Sequence, residues 1–277
     1  MPVPDRYAVI GHPIAHSRSP QIHALFARQT RQNMIYDAID VAPQQLAAQL
    51  DDFFASGGRG LNVTVPHKET VIACCDGASA RVRIAGAANT ILRESSGELM
   101  ADNTDGIGLV RDLTRNLGIA VGARRVLLLG AGGAARGVLA PLLALKPREL
   151  VIANRTVGRA LALASAFATL GAVRGSGFAQ LDGGHFDLIV NATAASLQEQ
   201  VPPLPPSVLG AGTACYDLFY AGNATRFTQW ALDHGAAQAH MGLGMLVEQA
   251  AEAFYLWRGL RPDTAPVLAA LAAQHPH

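Results

Sequence analysis

The sequence predicts an α/β protein of two domains with mostly parallel sheets. Three observations predict it. Short apolar runs of strand length alternate with amphipathic stretches of helix length along the chain. The chain has 277 residues, which is room for two ordinary domains. A glycine-rich turn in mid-chain, at 130–135, joins an apolar run to a helical stretch. Repeated alternation of this kind gives parallel sheets covered by helices.

The elements follow in order. RYAVIG (6–11) reads as a buried strand, and SPQIHALFARQTRQN (19–33) as a helix with Ile22, Leu25 and Phe26 on one stripe. IYDAIDV (35–41) alternates like a strand. Pro43 opens a helix through Phe54, with Leu46, Leu50 and Phe53 on one face. GLNVTV (60–65) is a strand and PHKETVIACC (66–75) the next helix. ANTILRE (88–94) and GELMAD (97–102) form a hairpin around Ser96-Gly97. GIGLVRDLTRNLG (106–118) is a helix stopped by Gly118.

The middle third is more regular. Strand RRVLLLG (124–130) leads to a helix ending near Leu145, and strand ELVIAN (149–154) to a helix ending near Leu170. Strands FDLIVNAT (186–193) and ACYDLFY (214–220) follow, with PPLPPS (202–207) as a rigid loop between them. MLVEQAAEAFYLWRG (245–259) is a long helix, and a short one lies near Ala265–Ala273.

Composition excludes several classes. Half the residues are hydrophobic and 16% are charged, enough to build a large core. Lys+Arg is 22 against Asp+Glu 21, a net charge of +1, which argues against a surface that grips nucleic acid or anionic membrane. Cys74, Cys75 and Cys215 form no CxxC pair, so neither a disulfide framework nor a zinc site is expected. The start, MPVPDRYAVI, has no apolar run of signal-peptide length. No stretch nears the roughly 18 apolar residues of a membrane helix. A soluble cytoplasmic protein is expected, with no nucleic-acid, membrane or metal partner, as a monomer or homodimer.

Gly130-Ala131-Gly132-Gly133-Ala134-Ala135 follows one strand, opens a helix and is followed by a second strand. That context marks a Rossmann-like dinucleotide turn. Gly130 permits the tight turn, Gly132 lets a pyrophosphate approach the backbone, and Ala135 lets helix and sheet pack closely. The helix N-terminus supplies free N–H groups. An NAD site expects Asp or Glu at the end of the second strand. Here that strand ends Asn154-Arg155-Thr156, with Arg159 beyond. Two arginines on the first turn of one helix suit a 2′-phosphate, so NADP(H) is the expected cofactor. Thr156 also reads as a helix N-cap.

The N-terminal third carries the polar constellation. In GHPIAHSRSPQIH (11–23), Ser19 before Pro20 reads as an N-cap, while Ser17 has no such duty and is freer to bind a ligand. In NVTVPHK (62–68), Pro66 at the start of a helix puts Lys68 in the first turn, against the helix dipole. A cation placed so, with partial desolvation, is expected to have a lowered pKa suited to acid/base work. Asp105 in ADNTDG stands where an N-cap would, and a carboxylate beside Lys68 would fix that lysine. Asn89 in AANT and Gln249, on a stripe with Met245, Ala253 and Leu256, need partners in the backbone or in a ligand.

Several of these motifs, in this order, resemble the shikimate dehydrogenase family over nearly the whole chain. GHPIAHSRSPQIH, NVTVPHK, AANT, DNTDG, GAGGAARG, NRTVGR, YDLFY and GLGMLVEQAAEAF all resemble segments of it. The resemblance implies reversible reduction of 3-dehydroshikimate to shikimate with NADPH, in aromatic amino-acid biosynthesis. It implies that Lys68 and Asp105 are the catalytic pair. Ser17 and Ser19 would bind the substrate carboxylate. Thr64, Asn89 and Gln249 would hold the ring hydroxyls, and Tyr220 would line the site. Gly130, Ala131, Gly132, Gly133, Ala134, Asn154, Arg155, Thr156, Arg159, Thr193 and Gly242 would contact the cofactor. The implied domains are 1–105 for substrate, 106–236 for NADP(H), and 237–277 returning as helices to the first, with the reaction in the cleft between them.

Three positions depart from the family pattern: NATAAS (191–196) lacks a glycine, Thr225 is followed by Arg226, and Met241 replaces a frequent aspartate. Three rival functions are a quinate or cyclitol-acid paralogue, a folate-type NADP dehydrogenase, and a non-catalytic NADP(H) sensor. The Ser17/Ser19 opening argues against the second, and Lys68 with Asp105 against the third.

Overall fold

A computed structural model describes residues 3–181 and 184–274. The chain divides into two compact units. The first holds the residues up to Gly108 together with Leu246–Gln274; the second runs from Leu109 to Met245.

In the first unit the elements are β1 (Asp5–Gly11), α1 (Ser19–Thr30), β2 (Met34–Asp40), α2 (Leu46–Ala55), β3 (Gly58–Val63), β4 (Gly77–Ala78), α3 (Ala80–Ala85), β5 (Thr90–Arg93), β6 (Leu99–Asp102) and the start of α4 (Asp105–Arg111). The sheet order is β2-β1-β3-β5-β6-β4. β1 pairs in parallel with β2 and β3, and β5 runs antiparallel to β3 and to β6. Ala8, Ile10, Leu61, Val63 and Ile91 pack from the sheet against Leu46, Leu50, Phe53 and Phe54 of α2.

The second unit holds β7 (Arg125–Leu129), α5 (Gly133–Ala144), β8 (Glu149–Ala153), α6 (Val157–Phe167), β9 (Val173–Ser176), β10 (Leu188–Asn191), β11 (Ala214–Asp217), α7 (Arg226–Asp233) and β12 (Gln238–Met241). α8 (Leu243–Arg258) carries the chain back to the first unit, where α9 (Ala265–Ala272) ends the described elements. The sheet order β12-β11-β10-β7-β8-β9, parallel throughout, is the doubly wound order of dinucleotide-binding folds. Both faces are covered. Val126 and Leu128 of β7 join one core and Leu127 and Leu129 the other; Leu150 and Ile152 of β8 alternate likewise with Val151 and Ala153. Each such strand leucine or valine, fully buried, contributes about 1.5–3 kcal/mol. This explains why these strands read as unbroken apolar runs.

The sequence overreaches at 66–75. No α-helix forms there: turns lead into a 3₁₀ segment, Thr70–Cys74. The Lys68 carbonyl accepts from Ala88 N–H at 2.7 Å, so it does not serve a helix. Val71 and Ile72, β-branched, also favour helix poorly. The first-turn location of Lys68, and the dipole argument built on it, therefore fall.

Five short elements form besides those expected: β4, α3, β9, α7 and β12, of which α3 and α7 are capped by Ser79 and Thr225. The helix expected over 106–118 becomes α4 followed by a π-helical turn, Asp112–Asn116. Among the described residues no helix is long and apolar enough to cross a membrane. No cluster of three or more His, Cys, Asp or Glu among them could hold a metal. All three cysteines are free.

Candidate active site

Lys68 and Asp105 meet in the first unit. Lys68 Nζ donates to Asp105 Oδ2 at 2.6 Å. The other carboxylate oxygen accepts from Asn89 Nδ2 at 2.8 Å. Asp105 begins α4, but its carboxylate is spent on these side chains rather than on capping. Its own N–H is taken by Asn103 Oδ1 at 3.1 Å. Asp105 is buried and Lys68 retains partial exposure, so the ammonium has a route out while the carboxylate does not.

Asn89 is the centre of the polar cluster. Its Oδ1 accepts from Thr104 N–H at 2.8 Å and from the Thr90 hydroxyl at 2.8 Å. Its Nδ2 reaches Thr104 Oγ1 at 2.9 Å and Gln249 Oε1 at 3.1 Å besides Asp105. Gln249, buried on α8, donates in turn to Leu246 O. Thr104 was missed at the sequence level, although it lies inside the DNTDG motif next to Asp105. Its signal is its place in that motif, one residue before the acid.

The loop after β1 reverses the expected roles of its two serines. Ser19 is the first residue of α1, and Arg18 holds the N-cap position without a side-chain cap bond. It is Ser17 that has the local duty, because its Oγ accepts from Ser19 N–H at 3.3 Å. The loop is tied down by Asp40 at the end of β2. Asp40 Oδ1 bonds His12 Nδ1 at 2.5 Å, and Oδ2 accepts from Ile14 N–H at 3.2 Å. The His12 hydrogen bond, aided by Ile14, holds the Asp40 carboxyl below the usual range. Thr64 is half-buried just past β3; its N–H donates to Ile10 O and its carbonyl accepts from His67 N–H.

The glycine turn sits at the switch point of the second sheet, where β7 and β10 are neighbours. Gly130 has φ +105°, a left-handed conformation that a side chain rarely adopts. A Cβ there would stand 2.9 Å from Ala192 O and 3.3 Å from Thr193 N, so Gly130 and Thr193 are brought together. Gly132, the N-cap of α5, has open space where its Cβ would be. The N–H groups of Gly133, Ala134 and Ala135 open α5 and lack intrahelical partners. Ala131 is buried against the core below them.

Arg155 and Arg159 are exposed, and their guanidiniums make no hydrogen bond or ion pair with the described residues. They do not share the first turn of α6: Arg155 precedes the cap, and only Arg159 is helical. Thr156 takes the N-cap position without a side-chain cap bond; Asn154 Nδ2 donates to its carbonyl at 3.0 Å instead. The cradle, its open Gly132 and two unpaired guanidiniums fit a phosphorylated dinucleotide.

The departures find local explanations. In NATAAS the turn is built by side chains: Asn191 Oδ1 accepts from Thr193 N–H and hydroxyl, and Thr193 Oγ1 from Ala195 N–H. No residue of 192–196 has a positive φ, so no glycine is needed. Thr225 caps α7 by accepting from Thr228 N–H, and its hydroxyl donates to Asp217 Oδ2 at 2.7 Å. Burial pushes the Asp217 carboxyl up, although donors from Ser196, Thr225, Phe219 N–H and Asn191 oppose it. Met241 ends β12 opposite Asp217. Gly242 N–H donates to Phe219 O, beside Tyr220, and a Cβ on Gly242 would strike Leu218 O at 2.4 Å.

Comparison with known proteins fits this geometry. Residues 9–91 match the shikimate dehydrogenase substrate binding domain, 113–198 the shikimate/quinate 5-dehydrogenase family, and 242–272 the shikimate 5′-dehydrogenase C-terminal domain. The shikimate dehydrogenase (NADP(+)) of Methylococcus capsulatus is 55% identical over 274 residues, 99% of this chain and 98% of its own. That of Aeromonas hydrophila is 56% identical over 264 residues, 95% of this chain and 96% of its own. Among solved structures, shikimate 5-dehydrogenase from Thermus thermophilus in complex with NADP(H) and shikimate superposes with TM-score 0.83 at 36% identity, covering 97% of this chain and 99% of that one. An Ael1 enzyme from Pseudomonas putida superposes with TM-score 0.90 at 48% identity, over 96% and 98% of the two chains. With full-length relatives above half identity and family matches across both units, the chain belongs to the shikimate dehydrogenase family.

Proposed function

We propose that the protein catalyses the reversible NADPH-dependent reduction of 3-dehydroshikimate to shikimate, a step towards chorismate and the aromatic amino acids. The observation that carries this reading is the 2.6 Å contact between Lys68 Nζ and Asp105 Oδ2. A partly exposed ammonium held by a buried carboxylate can give a proton to an oxygen that gains charge. Bound NADPH supplies the hydride.

In this reading Lys68 protonates the developing alkoxide, and Asp105 keeps the ammonium oriented. Asn89, Thr64 and Gln249 hold ring hydroxyls, Ser17 and Ser19 the substrate carboxylate, and Tyr220 lines the site. The first unit binds substrate and the second binds NADP(H). Gly130, Ala131, Gly132, Gly133 and Ala134 cradle the pyrophosphate, and Arg155 and Arg159 take the 2′-phosphate, with Asn154 and Thr156 shaping that turn. Thr193 and Gly242 approach the rest of the cofactor. The substrate and product are soluble anions, which suits a cytoplasmic enzyme.

A second reading, oxidation of quinate, has one observation in its favour: the family matched by residues 113–198 covers shikimate and quinate enzymes alike. One assay separates the two. NADPH oxidation is followed with 3-dehydroshikimate, beside shikimate and quinate with NADP or NAD. Turnover of 3-dehydroshikimate with NADPH, and a kcat/KM for quinate lower by about tenfold or more, supports the first reading. Preference for quinate overturns it.

A further inference from the structure

Behind the Lys68–Asp105 pair, a line of buried polar groups runs away from the site and ends on an aromatic cluster. Tyr36 OH donates to Asn62 Oδ1 at 2.7 Å. Asn62 Nδ2 donates to Thr90 Oγ1 at 3.1 Å and to the Asn89 carbonyl at 3.1 Å. The Thr90 hydroxyl donates to Asn89 Oδ1 at 2.8 Å. Asn89 Nδ2 then donates to Asp105 Oδ1. Asn62, Asn89, Thr90 and Asp105 are each at most 5% exposed.

The line has a direction. A tyrosine hydroxyl carries one hydrogen, and Asn62 meets it with its carbonyl. The Asn89 carbonyl, which can only accept, places the Asn62 amide nitrogen on the other side, where its N–H also donates to Thr90. With its lone pair engaged there, the Thr90 hydroxyl gives its single hydrogen to Asn89 Oδ1. Together with Thr104 N–H, which also donates to Asn89 Oδ1 at 2.8 Å, the Thr90 hydroxyl holds Asn89 with oxygen towards Thr90 and nitrogen towards Asp105. A flipped Asn89 would set its carbonyl against the carboxylate, acceptor against acceptor. Tyr36 itself is fixed by packing: His23 lies flat on its ring, centroids 4.1 Å apart and 6° from parallel, with Trp257 also against it.

We infer that Tyr36, Asn62 and Thr90 are positioning residues that lock the amide of Asn89 so that it holds Asp105 square to Lys68. None of the three needs to touch substrate; each acts through Asn89. The inference rests on the proposed reading of Lys68 and Asp105 as the catalytic pair.

The test is steady-state turnover of 3-dehydroshikimate by Thr90→Val, Thr90→Ser, Tyr36→Phe and the double variant Tyr36→Phe/Thr90→Val, with Lys68→Met alongside. Thr90→Val keeps the shape and removes the hydroxyl, so kcat falls about tenfold. Thr90→Ser restores the hydroxyl and returns kcat to within about twofold. Tyr36→Phe lowers kcat about threefold, and the double variant is no slower than Thr90→Val alone, because both act on one line. A wild-type kcat in Thr90→Val, failure of serine to restore it, or losses that multiply in the double variant would overturn the inference. Should Thr90→Val not fold, Tyr36→Phe decides alone, and an unchanged kcat there overturns it. Lys68→Met separates the two levels. Activity surviving in that variant overturns the underlying reading, whereas loss there with wild-type Thr90→Val overturns only the positioning role.

Discussion

Asp105 binds Lys68 with one carboxylate oxygen and Asn89 with the other, at 2.6 and 2.8 Å. Both of its oxygens are thus committed within a buried cluster, and the lysine is aimed rather than left to swing. Neutralising the acid should disable the lysine without opening the fold. Asp105→Asn is expected to lower kcat by roughly two orders of magnitude, with a smaller effect on KM. Steady-state kinetics check the loss, and circular dichroism checks that the chain stays folded.

Among the described residues, the guanidiniums of Arg155 and Arg159 have no partner to lose. Arg155→Ala or Arg159→Ala is therefore expected to leave the melting temperature within a degree or two, as surface changes usually do. KM for NADPH should rise about tenfold or more for each, since a charge-assisted contact to phosphate is worth about 1.5–3 kcal/mol. KM for NADH, which lacks the 2′-phosphate, should move far less. Equal losses with both cofactors would contradict the assignment.

Two glycines in one turn should fail differently. Gly130 combines φ +105° with a Cβ position 2.9 Å from Ala192 O, so Gly130→Ala should destabilise the second unit by about 2 kcal/mol or more. Gly132 has open space around its Cβ position, so Gly132→Ala should fold normally yet bind NADPH more weakly. Denaturant unfolding and cofactor titration, run on both variants, check the contrast.

His23 gives a stability signature with a defined pH window. It is fully buried, and burial pushes its imidazole down to about 3, from near 6.5 in an unfolded chain. The folded state therefore holds the ring neutral while the unfolded state takes up a proton as pH falls below 6.5. Stability from this group is complete above pH 6.5 and drains away towards pH 3. The loss amounts to about 2 kcal/mol by pH 5, at about 1.4 kcal/mol per pH unit. His23→Phe, which keeps an aromatic ring among Phe26, Tyr36, Phe254 and Trp257, should flatten the fall in urea midpoint between pH 7 and 5. An equally steep fall in that variant would contradict the assignment.

The parts legible in the sequence are those where local pattern and tertiary demand coincide. Val126–Leu129 and Leu150–Ala153 must be apolar on both faces, and so they read as strands. Gly130 must be glycine because its backbone needs positive φ against β10. β9, whose sequence is VRGS, holds as a strand through its pairing with Leu150–Ala153, not through its own pattern. Lys68 stood out partly for a reason the structure removes, a helix that does not form, and partly through the family resemblance of NVTVPHK, which also implied its pairing with Asp105. Its pairing with Asp105 spans 37 positions and depends on tertiary placement. Asn62 and Thr90 were illegible as polar partners for the same reason: each looks like an ordinary strand residue until Tyr36 and Asn89 are brought beside it. The serine roles inverted because helix starts shift by a residue or two without changing composition.

The proposed role of Lys68 is to move the proton in an NADPH-dependent ketone reduction. The most direct test is the turnover of Lys68→Met with 3-dehydroshikimate and NADPH at saturating concentrations. The predicted result is a kcat lower by about two orders of magnitude or more, with a smaller change in KM. Turnover like that of the unmodified protein would contradict it.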